Sequence, residues 1–154
     1  MGFAGPVAKL GLQRLQKAHP ARESYLQGIS AEIDASGGVR SWFGRFRPIP
    51  KVSVVRAARR VGIHVGLEAE GLREAANAKV QMTAADVLKL TMRAIYDRLL
   101  VETNGARLVM TVHDEVVIEC APDDVAKVCE IAAQSFDQLP VELPVSFKEG
   151  VSWA

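Results

Sequence analysis

Arg107-Leu-Val-Met-Thr-Val-His113-Asp114-Glu115-Val-Val-Ile-Glu-Cys120 is the stretch on which the reading of this chain turns. Two short apolar runs, Leu108 to Val112 and Val116 to Cys120, flank a polar triplet. Val, Ile and Met packed so tightly around one junction predict an antiparallel hairpin that is largely buried. Hairpin corners ordinarily use Asn-Gly or Asp-Gly, because the turn needs positive φ. This corner holds an imidazole and two adjacent carboxylates, and no glycine. Carboxylates on a rigid hairpin tip suit a hard divalent cation. On the three residues alone a solvated turn, where acidic residues are common, is the more ordinary reading.

Outward from the hairpin, Asn104-Gly105 predicts the turn that leads into it, and Leu72 to Leu100 reads as a helix. Ala84, Leu88, Met92, Ile95 and Leu99 make its apolar line, with Asp86, Lys89, Arg93 and Asp97 opposite, where Arg93 and Asp97 can pair one turn apart. Arg73, Asn77 and Gln81 are spaced by four and share one face. Pro122-Asp123-Asp124 opens another helix to about Gln138, stopped by Pro140. Val141 to Phe147 reads as a final strand, which Pro144 confines to an edge or bulge. Toward the N-terminus, residues 7 to 18 and 22 to 35 predict two helices broken at His19-Pro20. Gly37-Gly38 ends the second, Val39 to Phe43 reads as a short strand, and Pro48 and Pro50 break regular structure. Residues 51 to 70 are ambiguous: Val52, Val54 and Val55 suggest strand, and Arg56 to Arg60 a helix or a mobile basic loop. Helices on a small antiparallel sheet make an α+β fold.

A chain of 154 residues can bury a sizeable core, and 49% hydrophobic content without low-complexity tracts predicts a folded chain. No apolar run approaches the ~20 residues of a membrane span, and the N-terminus has no secretory pattern. Cys120 and Cys129 are expected as free thiols of a reducing cytoplasm. The net charge of +1 is segregated: residues 37 to 82 carry nine basic against three acidic groups, and residues 83 to 154 six against twelve. A basic middle suits a polyanion and an acidic end suits a metal, though both also suit solvated faces. Arg45 and Arg47, interleaved with Trp42, Phe43 and Phe46, suit phosphate contacts. The aromatics by themselves are expected in the core.

Val112-His-Asp-Glu115 between apolar strands resembles motif C of the family A DNA polymerases. Asn77-Ala-Lys-Val-Gln81-Met-Thr-Ala-Ala-Asp86-Val-Leu-Lys89 is similar to that family's N-x-x-x-Q-G-T-A-A-D-x-x-K helix, and Gly38-Val-Arg-Ser-Trp-Phe-Gly44-Arg45-Phe-Arg-Pro-Ile-Pro50 to its G-x-V-x-T-x-x-G-R-x-R-x-x-P segment. The three blocks stand in the family's order, so the resemblance covers about residues 22 to 154. It implies a partial polymerase palm over residues 37–154, preceded by the helical end of a fingers-like region over 1–36. It also implies a reaction, two-metal nucleotidyl transfer from deoxynucleoside triphosphates to a primer 3′-hydroxyl, with Mg²⁺ as cofactor. Asp114 then matches the metal-binding aspartate, Glu115 the acid near the primer terminus, and His113 a contact to the primer backbone. Arg73, Asn77 and Gln81 match positions that touch minor-groove acceptors of primer-template DNA, which every base pair presents. A bacterial or phage-infected host cytoplasm is the implied location.

Two features depart from the pattern. Met82 stands where the family usually has Gly, and residues 51 to 70 have no clear counterpart. No D-x-S-x-x-E-L-R motif A or R-x-x-x-K fingers helix occurs in the 154 residues; Asp34-Ala-Ser36 mimics the first only in part. The expectation is therefore a C-terminal polymerase portion completed by a further segment or a second polymerase chain. A nucleic-acid-binding module without catalysis is the alternative. A His-Asp hydrolase would need further ligands, and only His19 and His64 remain.

Overall fold

The computed structural model describes residues 6–62, 68–136 and 143–152. It is mostly helical with two small antiparallel ladders, an α+β arrangement. The chain divides into two compact units, residues 1–83 and 84–154.

In the first unit, α1 (Pro6–Ala18) and α2 (Pro20–Ser36) meet at His19-Pro20, as the fixed φ of proline dictates. Gly37 closes α2 in the left-handed conformation, φ 75°, with its N–H donated to the Ile33 carbonyl. The chain then enters β1 (Gly38–Arg40), returns through β2 (Phe46–Pro48), and continues into α3 (Pro50–Arg60). The ladder pairs Gly38 with Pro48 and Arg40 with Phe46. Two sequence expectations need correction here. The strand ends at Arg40 rather than Phe43, and the segment before Pro48 is paired rather than irregular. Proline is tolerated because the ladder has no third strand to which its missing N–H would have to donate.

The ambiguous segment resolves as helix over Pro50–Arg60. Val52 and Val55, three apart, go inward, while Arg59 and Arg60 stay exposed. Burial at helical spacing has overridden the β-branched preference of three valines. Residues 63–67 lie outside the described range. Arg56 ties α3 down: it donates to the Ser30 hydroxyl at 2.7 Å and to Glu68 at 3.0 Å, and pairs with Asp34.

α4 (Glu68–Glu102) is 35 residues long and continues through the division between the units. Its first part completes the first core, where Ile29, Ile33, Val39, Ile49, Val52, Ala75 and Ala78 pack together. At Gly71 a Cβ would stand 2.6 Å from Val52 Cγ2, so glycine is what lets α4 approach α3. The Tyr25 hydroxyl donates to the Ala76 carbonyl at 2.9 Å, fastening α2 to the same helix.

In the second unit, β3 (Arg107–Val112) and β4 (Glu115–Glu119) form the hairpin, followed by a 3₁₀ turn (Pro122–Asp124) and α5 (Val125–Gln134). The core is Ile95 and Leu99 of α4, Ala106, and Val128, Ile131 and Ala132 of α5. Leu108, Ile118 and Cys120 pack against it. The hairpin is not largely buried as expected: no residue of either strand falls in the buried class. Its register slips between Leu108 and Met110, and Val109 between them is 53% exposed. A bulge of this kind leaves one residue unpaired and turns it outward. The last expected strand is also corrected: residues 143–150 carry no strand and are exposed. The expected helix end at Gln138 and Pro140, and residues 141 and 142, lie outside the described range. Cys120 and Cys129 are free and half-buried; burial raises the Cys120 thiol above its ordinary pKa.

Candidate metal and nucleic-acid site

The hairpin corner is two residues long, since Val112 pairs with Glu115. His113 takes φ 56°, and no other described non-glycine residue has positive φ. Hairpins with positive φ at the first corner position normally place glycine there, because a Cβ costs about 1–2 kcal/mol in that region. His113, Asp114 and Glu115 are all exposed. The ladder beneath holds them on a fixed base. Arg107 and Glu119 close its open end at 3.0 Å, and Leu108 and Ile118 seat one face on the core. Asn104 N–H donates to the Asp124 carboxylate at 3.2 Å, which fixes the approach to β3.

Among the described residues, no group of three or more His, Cys, Asp or Glu is placed to hold a metal ion. The corner therefore offers at most two adjacent carboxylates. That donor set fits Mg²⁺, which keeps several waters and binds through one or two carboxylates together with substrate phosphates. His19, the other described histidine, is exposed on the first unit, and His64 lies outside the described range. Asp34, the motif A mimic, is engaged with Arg56.

The first unit carries the other expected contacts. Arg73, Asn77 and Gln81 are exposed on α4, as their spacing requires. Met82, next along, turns inward and packs partly buried against the core, and its carbonyl accepts an Arg45 N–H at 2.9 Å. Arg47, on β2, lies 3.6 Å from Glu74 of α4. Lys51 also reaches Glu70 and Glu74, at 3.1 and 3.4 Å; hydrogen bonds to both carboxylates raise its pKa.

The segment between β1 and β2 is tightly tied. Ser41 N–H donates to the Arg45 carbonyl at 2.9 Å, and Arg45 N–H returns to Ser41 Oγ at 3.1 Å. Trp42 N–H donates to Thr83 Oγ1 at 3.0 Å, while that hydroxyl donates to the Lys79 carbonyl. Glu32 accepts from Arg40 N–H and from Lys79 Nζ, each at 2.6 Å. The anchors Ser41, Thr83, Glu32 and Glu74 were not singled out in the sequence; only the four-residue spacing of Glu70 and Glu74 could have flagged the last. Trp42, Phe43 and Phe46 were expected in the core, and all three are exposed.

Among the described residues no helix is long and apolar enough to cross a membrane. A family model described as DNA polymerase family A matches residues 2–154. The chain is 30% identical over 141 residues to the thermostable DNA polymerase I of Thermus thermophilus, an alignment covering 91% of this chain and 16% of that protein. It is 28% identical over 145 residues to DNA polymerase I of Bacillus caldotenax (92% and 16%). Against DNA polymerase I of Pseudomonas aeruginosa it is 32% identical over 130 residues (84% and 13%). The chain thus spans 13 to 16% of the length of these relatives.

Proposed function

Because this chain belongs to DNA polymerase family A, we propose that it is the C-terminal palm portion of a template-directed DNA polymerase, serving two-metal nucleotidyl transfer to a primer 3′-hydroxyl. In this reading residues 37–154 are palm and 1–36 the end of a fingers-like region. The observation that carries it is the corner itself. A two-residue corner that seats His113 in the left-handed region, beside two carboxylates and without glycine, carries a steric cost that a glycine turn would avoid.

Asp114 would hold Mg²⁺, with Glu115 beside the primer terminus and His113 against the primer backbone. When bound, the metal supplies positive charge for the attacking hydroxyl and the departing pyrophosphate. Arg73, Asn77 and Gln81 would offer donors to minor-groove N3 and O2 atoms, testing base-pair shape without reading sequence. Arg45 and Arg47 would meet phosphates. Deoxynucleoside triphosphates and primer-template DNA are the substrates. A second aspartate and a fingers helix would come from a further segment of the same protein or from a second polymerase chain. A bacterial or phage-infected cytoplasm is the setting this implies.

The test is Asp114→Asn in the chain assembled with a polypeptide bearing motif A and the fingers helix. Primer extension should fall by several orders of magnitude, as expected when charge stabilisation is removed from phosphoryl transfer. The melting temperature should hold or rise slightly, since one of two adjacent negative charges is gone. Full extension by the variant would reduce the corner to a solvated turn and leave the non-catalytic nucleic-acid module as the better reading.

A further inference from the structure

Trp42 is 73% exposed and Phe43 41% exposed, side by side at the tip of the segment between β1 and β2. Their exposure is not the result of a slack loop. Ser41 is buried, its backbone and hydroxyl bond Arg45, Gly44 N–H donates to the Ser41 carbonyl at 3.0 Å, and Trp42 N–H is fixed to Thr83. The third aromatic is used differently. A Cβ on Gly38 would stand 2.7 Å from the Phe46 ring, which therefore lies across that glycine, and the Arg40 guanidinium covers it at 4.9 Å. Phe46 braces the ladder, whereas Trp42 and Phe43 are presented outward.

The charge around them selects the occupant. Residues 38 to 50 contain Arg40, Arg45 and Arg47 and no acidic residue. Arginine and aromatics also gather at protein interfaces, but three arginines without a single acidic neighbour in the segment complement a polyanion, and the rings beside them suit its exposed π-faces. In a duplex the bases already stack on one another, so such rings gain little there.

We propose that Trp42 and Phe43 form a stacking platform for unpaired bases of single-stranded DNA, with the arginines of the same segment drawing in its backbone. The proposal rests on the DNA-binding reading above and adds the strand state of the ligand. Every base has a π-face, so recognition is tolerant of sequence.

A Trp153→Phe chain keeps Trp42 as its one indole, because the sequence has two tryptophans. Its fluorescence should be quenched by an oligothymidylate of about 16 nucleotides in about 50 mM salt. Read by the anisotropy of a labelled oligothymidylate, Trp42→Ala and Phe43→Ala should each weaken that binding about tenfold. Both should leave helical circular dichroism, blunt-duplex affinity and the salt slope unchanged. If both variants bind the oligonucleotide like the parent while Arg47→Ala weakens it, stacking is refuted and phosphate contact stands. If no form binds DNA, both readings fall. If Trp42→Ala alters the oligomeric state and leaves DNA affinity intact, the rings are a protein docking surface and the proposal is overturned.

Discussion

A side chain held at φ 56° carries about 1–2 kcal/mol of steric cost that glycine would not. His113 bears that cost at the tip of the hairpin, beside the two carboxylates proposed to serve nucleotidyl transfer. His113→Gly should therefore stabilise the chain by up to about 1 kcal/mol in urea denaturation, part of the gain being offset by a freer unfolded state. The assembled enzyme should at the same time extend primers more slowly. A variant that loses stability would show that the imidazole packs favourably enough to outweigh its backbone. That so tight a corner needs positive φ was legible in the sequence, although it reads there as the triplet His113-Asp114-Glu115 and the ladder shortens it to two residues by pairing Glu115 with Val112. The residue that takes it was not, because His113 and Asp114 are both unusual there and only the assembled ladder chooses between them.

At the scale of elements, α4 and the hairpin were legible from their apolar residues, and α2 from the Pro20 and Gly37 that bound it. β2 and α3 were not. Phe46-Arg-Pro48 pairs despite its proline because its two-stranded ladder asks no N–H of Pro48, and Val52 to Val55 is helical despite three β-branched residues because burial of Val52 and Val55 outweighs local preference. The burial of the hairpin was overestimated, since a two-stranded ladder has only one face on the core and its bulge turns Val109 outward. The fastening of α4 to α5 was also invisible in the sequence. Arg98 donates to Glu102 at 2.6 Å and to Gln134 at 2.9 Å, and Lys127 reaches Glu102 at 3.0 Å. Arg98, then Lys127, holds the Glu102 carboxyl down at about 2, against 4.5 for the free group. A lowered folded pKa gives stability that is complete above the unfolded value and lost as pH falls toward the folded one. Glu102→Gln should therefore flatten the loss of stability between about pH 4.5 and 2 in pH-dependent urea melts. The exposure of the group keeps this effect small. An unchanged acid profile would mean that the network does not persist in solution.

Over the whole molecule, charge follows the division into units. Residues 1–83 carry thirteen basic and six acidic groups, a net of +7, and residues 84–154 six and twelve, a net of −6. Such a chain should hold primer-template through its first unit, with affinity falling steeply as salt rises. Arg45→Ala and Arg47→Ala should each weaken binding alike for all sequences and lower the salt slope by about one. A slope unaltered by both would leave the basic unit as a solvated face.

Tyr25 gives this architecture a consequence of another kind. Its hydroxyl is the donor that joins α2 to the Ala76 carbonyl, and burial raises its pKa above the usual 10.0. A tyrosinate cannot donate that bond, so the ring ionises late for as long as α2 stays on α4. In a Tyr96→Phe chain, which keeps Tyr25 as its one tyrosine, the near-ultraviolet absorbance of tyrosinate thereby becomes an intrinsic optical gauge of docking in the first unit, readable during an alkaline titration without any label.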